Sequence, residues 1–83
     1  MGDMHYVYVI YDKILMKYYV GYSKDVVARF AEHKRGNVAT TSKFKSLELV
    51  YMEGCISKKD AQRRERELKT GFGRGYIKKR IRN

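Results

Sequence analysis

The chain contains no proline and only one cysteine, Cys55, and each scarcity excludes something. One thiol cannot close an intrachain disulfide, and no Cys/His cluster has zinc spacing, so the two staples common in small domains are both missing. A reducing compartment is the natural setting. No apolar run approaches the roughly 20 residues of a membrane span, and the N-terminus lacks the basic-then-apolar layout of a signal peptide. The expectation is a soluble, cytoplasmic protein. With no linker, low-complexity stretch or internal repeat, the 83 residues read as a single domain over 1–83, with one core and room for one site.

Acidic residues are also few: nine Asp and Glu stand against 19 Lys and Arg, a net charge of +10. Such an excess concentrates polyanions at a protein surface, which favours nucleic acid as partner. The charge is uneven, because residues 57–83 hold eleven of the bases and three of the acids. That segment is either a solvated helix face with a basic tail or a surface that follows phosphates.

What is present is ordered by periodicity. His5 to Tyr11 (HYVYVIY) and Lys17 to Tyr22 (KYYVGY) are rich in Tyr and β-branched residues and read as strands. The five residues between them, Asp12 to Met16, suit an antiparallel hairpin. Asp25 offers an N-cap to VVARFAEHKR, whose Val26, Val27, Phe30 and Ala31 form the apolar stripe, and Gly36 offers the C-cap. Asn37 to Ser46 lacks a period and reads as a loop, and LELVYME as a third strand. Ser57 and Asp60 make a capping-box-like start for KKDAQRRERELK, running to Gly71. Gly73 to Asn83 reads as a short basic helix with Tyr76, Ile77 and Ile81 inward. The fold class is α+β, a three-stranded antiparallel sheet flanked by helices in the order β-β-α-β-α-α.

Three features depart from plain patterning. The stripe Ala61, Leu68, Phe72 passes through Glu65, and an ionised carboxylate there is costly unless paired or metal-bound. Glu65 therefore either pairs with Arg64 or Arg29 at the stripe's edge or serves as a ligand or catalytic acid. Arg29 and His33 are four apart and share a helix face. Arg suits a bidentate grip on phosphate but is also a common surface ion-pair partner, and His33 equally suits a helix end. Finally, six of the eight tyrosines lie within the first 22 residues, more than a sheet requires, although some must simply fill the core.

Taken in order, Tyr6-Val7-Tyr8, Tyr19-Val20-Gly21, Arg29 and Glu65 resemble the GIY-YIG nuclease superfamily, and in particular small members similar to the N-terminal nuclease domain of the excision-repair protein UvrC. Tyr19 follows Tyr8 by eleven positions, and A-x-x-x-E-x-x-L-K runs from Ala61 to Lys69. Tyr6 stands where the first motif has glycine, and valine replaces isoleucine in both.

The resemblance implies a DNA endonuclease of the GIY-YIG fold that hydrolyses phosphodiesters by water attack. In that expectation Glu65 holds one Mg²⁺ or Mn²⁺, and Tyr8 is the general base, its pKa lowered by nearby cations. Tyr19 hydrogen-bonds beside it, Arg29 clamps the phosphate and His33 positions water or a phosphate oxygen. Lys24 adds charge, and Asn83 matches a polar residue that some relatives carry near the domain's end. The backbone would lie on Lys43 and Lys45 of the loop and on Arg63, Arg64, Lys69 and Arg74. Phe44 either stacks on an unpaired base or anchors the loop. The expected partners are single-stranded or duplex DNA and, because no second DNA-binding unit is visible, a protein partner or a second copy. The competing readings are a non-catalytic basic nucleic-acid-binding module on the same fold and a ribosome-associated basic protein.

Overall fold

A computed structural model describes residues 4–80. Ile81 and Asn83 lie outside the described residues, as does the Phe72 side chain. The elements are β1 (His5–Asp12), β2 (Lys17–Ser23), α1 (Val26–Lys34), a 3₁₀ turn (Ala39–Thr41), β3 (Leu47–Cys55), α2 (Lys58–Leu68) and α3 (Gly71–Arg80). The order is the expected one, with the addition of the 3₁₀ turn inside the loop.

The sheet is antiparallel with β1 in the middle, in the order β2-β1-β3. Side chains alternate between its faces, so the middle of a central strand covered on both sides must be largely apolar. Val7, Tyr8, Val9 and Ile10 are accordingly all buried. Val7 and Val9 pack with Val20, Ala61, Leu68 and Ile77 on the α2–α3 side. Tyr8 and Ile10 pack with Val26, Tyr19 and Phe30 on the α1 side. Each fully buried Leu or Ile contributes about 1.5–3 kcal/mol, so the two thin layers together support a chain with no disulfide. Opposite Val9 and Ile10 the β3 register skips Val50, a bulge that lets both Val50 and Tyr51 face the α2–α3 layer.

Helix ends follow the local chemistry. Asp25 accepts from Ala28 N at 3.1 Å, and Ser57 accepts from Asp60 N at 3.0 Å, so both expected N-caps form. Gly36 adopts φ +79°, with its N–H on His33 O and Asn37 N–H on Glu32 O, a Schellman ending that turns the chain sharply back. Val27 departs from the expected stripe: it is 82% exposed, because Val26, Phe30 and His33 occupy the inner face.

Asp12 ties the two loops at one end of the sheet. Its Oδ1 accepts from Ile14 N and Leu15 N at 2.8 and 2.9 Å, and its Oδ2 from Lys45 N and from Ser46 N. Although burial alone would favour the neutral acid, these four backbone donors hold the carboxyl below its ordinary range. An Asp12→Asn amide would present N–H groups to some of the same donors, and the variant should melt about 10 °C lower at neutral pH, by circular dichroism. Because the folded-state pKa is depressed, the carboxylate's contribution is present above the unfolded value of 3.8 and is lost as pH falls through the folded one. The gap between wild type and variant should therefore narrow in acid.

Candidate active site

Tyr8 sits at the centre of the α1-side layer, 1% exposed, where its hydroxyl must find a partner inside the protein. It finds His33: Oη and Nε2 are 2.8 Å apart. His33 is equally enclosed, and its other nitrogen, Nδ1, lies 2.7 Å from Thr41 Oγ1. Three buried polar side chains from β1, α1 and the 3₁₀ turn thus form one chain. Tyr19, from β2, closes it from the side, with its ring centroid 4.9 Å from that of His33 and 6.3 Å from that of Tyr8.

Gly21 makes this packing possible. It is the cross-strand partner of Tyr8, and the Tyr8 ring leans over its Cα. A Cβ at that position would come within 2.9 Å of Tyr19 Cε2 and closer still to Tyr8 Oη. The glycine is therefore a space requirement of the tyrosine pair.

Electrostatics set the protonation states. Burial pushes the Tyr8 phenol up to about 12, with the Arg29 guanidinium opposing the shift. This corrects the expectation of a lowered pKa, since desolvation outweighs the cation. Arg29, one helical turn before His33, faces both phenols, and Tyr8 in particular raises its pKa, so it stays charged. Burial first, and Arg29 second, lower His33 below its ordinary 6.5, which makes it neutral at pH 7. The arrangement holds a protonated phenol, a neutral imidazole and a fixed positive charge within one layer.

Glu65 lies elsewhere, on α2, with about a fifth of its side chain exposed. Its partner is Lys69, at 3.1 Å from Oε2, and neither Arg64 nor Arg29. Lys69 in turn lines a cleft of about 310 Å³ together with Tyr18, Tyr19, Val20 and Arg74, so the α2 side and the tyrosine layer meet along the β2 edge. Among the described residues no group of three or more His, Cys, Asp and Glu converges.

The expected phosphate contacts fall into two sets. Lys24, Lys43 and Lys45 are exposed, as are Lys69 and Arg74 at the cleft. Phe44, half-buried, forms a wall of an adjoining space of about 570 Å³ with Tyr19, Lys17, Arg74 and Lys78. Arg63 is exposed but paired with Asp60 at 2.9 Å. Arg64 does not belong with them: it binds Glu53 at 2.8 Å and Glu67 at 3.2 Å and stacks on Tyr76, which fastens α2 to β3 and α3. Thr41 was not singled out from the sequence, since nothing local distinguishes it from its neighbours in the loop.

Comparison with known proteins agrees with this geometry. The family model described as the GIY-YIG catalytic domain matches residues 4–80. The UPF0213 protein of Staphylococcus epidermidis is 42% identical over 71 residues, covering 82% of this chain and 83% of that protein, and a UPF0213 protein of Staphylococcus aureus matches to the same extent. The solution NMR structure of the UPF0213 protein BH0048 from Bacillus halodurans superposes with a TM-score of 0.54 at 30% identity, covering 89% of this chain and 81% of that one. No helix among the described residues is long and apolar enough to cross a membrane. With both tyrosines of the paired motifs on adjacent strands, their glycine beneath the first ring and the helix arginine facing them, the chain belongs to the GIY-YIG catalytic-domain family.

Proposed function

We propose that the protein is a metal-dependent DNA endonuclease in which Tyr8 passes a proton from the attacking water to His33. The observation that carries this reading is the buried 2.8 Å contact between Tyr8 Oη and His33 Nε2 beside the Arg29 charge. A phenol at about 12 is scarcely ionised near neutrality, so Tyr8 acts with its proton on. Water gives a proton to Tyr8 Oη while the Tyr8 proton moves to His33 Nε2. The resulting hydroxide forms the new P–O bond, and the bond to the 3′-oxygen breaks. Arg29 holds the non-bridging oxygens and offsets the added negative charge. Tyr19 orients the water beside Tyr8.

Glu65 would hold the divalent cation, Mg²⁺ or Mn²⁺. Its donor set fits a hard ion only loosely: one partly exposed carboxylate, already shared with a lysine, and among the described residues no group of three or more His, Cys, Asp and Glu. Such a site depends on substrate phosphate and water for its remaining ligands. The ion would supply Lewis-acid stabilisation of the phosphate and of the leaving oxygen. The charge of +10 and the cations at the cleft, Lys69 and Arg74, supply the sequence-independent attraction for the backbone, with Lys24, Lys43 and Lys45 adding to it. A single domain of this size would act in the cytoplasm alone, as a homodimer or with a protein partner.

Labelled single-stranded, duplex and forked DNA incubated with Mg²⁺ or Mn²⁺ tests the reading. Cleavage should require the metal and vanish in Glu65→Ala while binding persists, and Arg29→Ala should slow it by about 10²–10³-fold. Wild type that binds all three substrates and cuts none would leave a non-catalytic binding module instead. Gly21→Ala should retain binding and lose at least about tenfold in rate, because its Cβ displaces Tyr8 by the ångström or so that matters for in-line attack.

The pH profile provides a separate check. His33 must be neutral to accept a proton, and its pKa in the free protein lies below 6.5, so kcat/KM should rise with pH along a limb centred on the acid side of 6.5 and level off by neutrality. A limb centred well above neutrality would point to a phenol that has to ionise first.

A further inference from the structure

Neutral imidazole has one N–H and one bare nitrogen, and their order in His33 decides whether Nε2 can receive a proton. Groups from four elements surround this ring. Tyr8 of β1 meets Nε2, Tyr19 of β2 meets the ring edge-to-face, Arg29 lies one turn back on α1, and Thr41 of the 3₁₀ turn meets Nδ1. Lys34 and Lys45 line the small cleft on the Thr41 side.

A protonated Tyr8 needs an acceptor, and Arg29 has none to offer. The Tyr19 hydroxyl also meets that of Tyr8, but the relay takes the buried His33 Nε2, 2.8 Å away, as the acceptor, which puts the imidazole proton on Nδ1. A buried N–H left without an acceptor is costly, and Thr41 Oγ1 stands 2.7 Å from it, itself 1% exposed.

We infer that Thr41 is a positioning residue for the reaction: its Oγ1 accepts from His33 Nδ1–H and so keeps Nε2 bare and turned toward Tyr8. This rests on the proton relay proposed above, and it adds a residue that the paired tyrosine motifs do not contain. The backbone of Thr41 is placed by other contacts. The Schellman ending at Gly36 turns the chain, Thr41 N donates to Val38 O, Phe44 N donates to Thr41 O, and Asp12 pins Lys45 and Ser46. Removal of the hydroxyl alone therefore leaves the loop's path intact. Thr41→Val, which keeps the shape, would leave Nδ1–H without an acceptor. The proton would then move to Nε2, where it donates to the Tyr8 oxygen and removes the relay's acceptor.

Nitrogen-15 NMR of histidine-labelled protein, without DNA or metal, reads the tautomer directly. His5, the other histidine, is distinguished by His5→Gln. Wild type should carry the His33 proton on Nδ1, Thr41→Ser should keep it there, and Thr41→Val should move it to Nε2. In the cleavage assay Thr41→Val should lower kcat by about tenfold or more with KM little changed, and Thr41→Ser should stay within about threefold of wild type. A wild-type proton on Nε2, a tautomer that ignores Thr41→Val, or a tautomer that moves without altering kcat would each overturn the inference. The NMR result stands apart from the nuclease reading, because it needs no turnover: a protein that cuts nothing but shows the expected tautomers refutes the activity and keeps the Thr41–His33 geometry.

Discussion

The buried hydroxyl of Tyr8 constrains more of this structure than any other single group. β1 is covered on both faces, so the hydroxyl that Tyr8 sends into the α1-side layer is nearly enclosed and needs a partner within the protein. Everything around it answers that need. His33 has to come from the last turn of α1 and be neutral, Gly21 has to lack a side chain, and the loop after α1 has to return close enough for Thr41 to serve the far side of the imidazole. Had the central strand carried phenylalanine, none of these would be required for folding. The polar chain is thus better explained as a functional commitment that the fold accommodates than as a source of stability.

Charge is handled in two different ways on the two faces of the sheet. On the α2–α3 side Arg64 is consumed internally, held by Glu53 and Glu67 and stacked on Tyr76, with Arg80 on the same ring. On the α1 side Arg29 has phenols for neighbours. Phenols polarise toward a cation without neutralising it, so Arg29 keeps its charge for an incoming anion. Two arginines on helices of one small domain therefore differ in availability because of what the opposing strand supplies, a glutamate in one case and tyrosines in the other.

That contrast also marks how far the sequence could be read. The strands, both N-caps and the Gly36 turn follow from local rules, since an Asp or Ser before a helix and a glycine after it act within a few residues. Tyr8, Tyr19, Arg29 and His33 were legible as a set because two strand motifs and one helix face put them there. Nothing local sets Arg64 apart from its basic neighbours, because its partner Glu53 lies eleven residues away on β3, beyond any helical spacing. The pairing of Glu65 with Lys69 obeys the i, i+4 rule and was overlooked in favour of arginine partners. Thr41 and the Tyr8 pKa depend on burial, which composition does not reveal: a threonine in a polar loop looks solvated until the chain turns it under α1.

The opposition between Arg29 and His33 gives the proposed chemistry its order of events. In the free protein the guanidinium disfavours an imidazolium beside it, adding to the effect of burial, so His33 is a poor proton acceptor before substrate arrives. A DNA phosphate bound to Arg29 supplies a compensating negative charge at the same place, and the cost of a positive His33 falls. The phenol feels the reverse effect, because Arg29 is the group that opposes its upward shift, so a phosphate there makes phenolate still less accessible. Substrate binding thereby favours transfer through a protonated Tyr8 and disfavours the route in which Tyr8 ionises first. One arginine, placed between an acceptor and a donor, ties proton transfer to the presence of the phosphate.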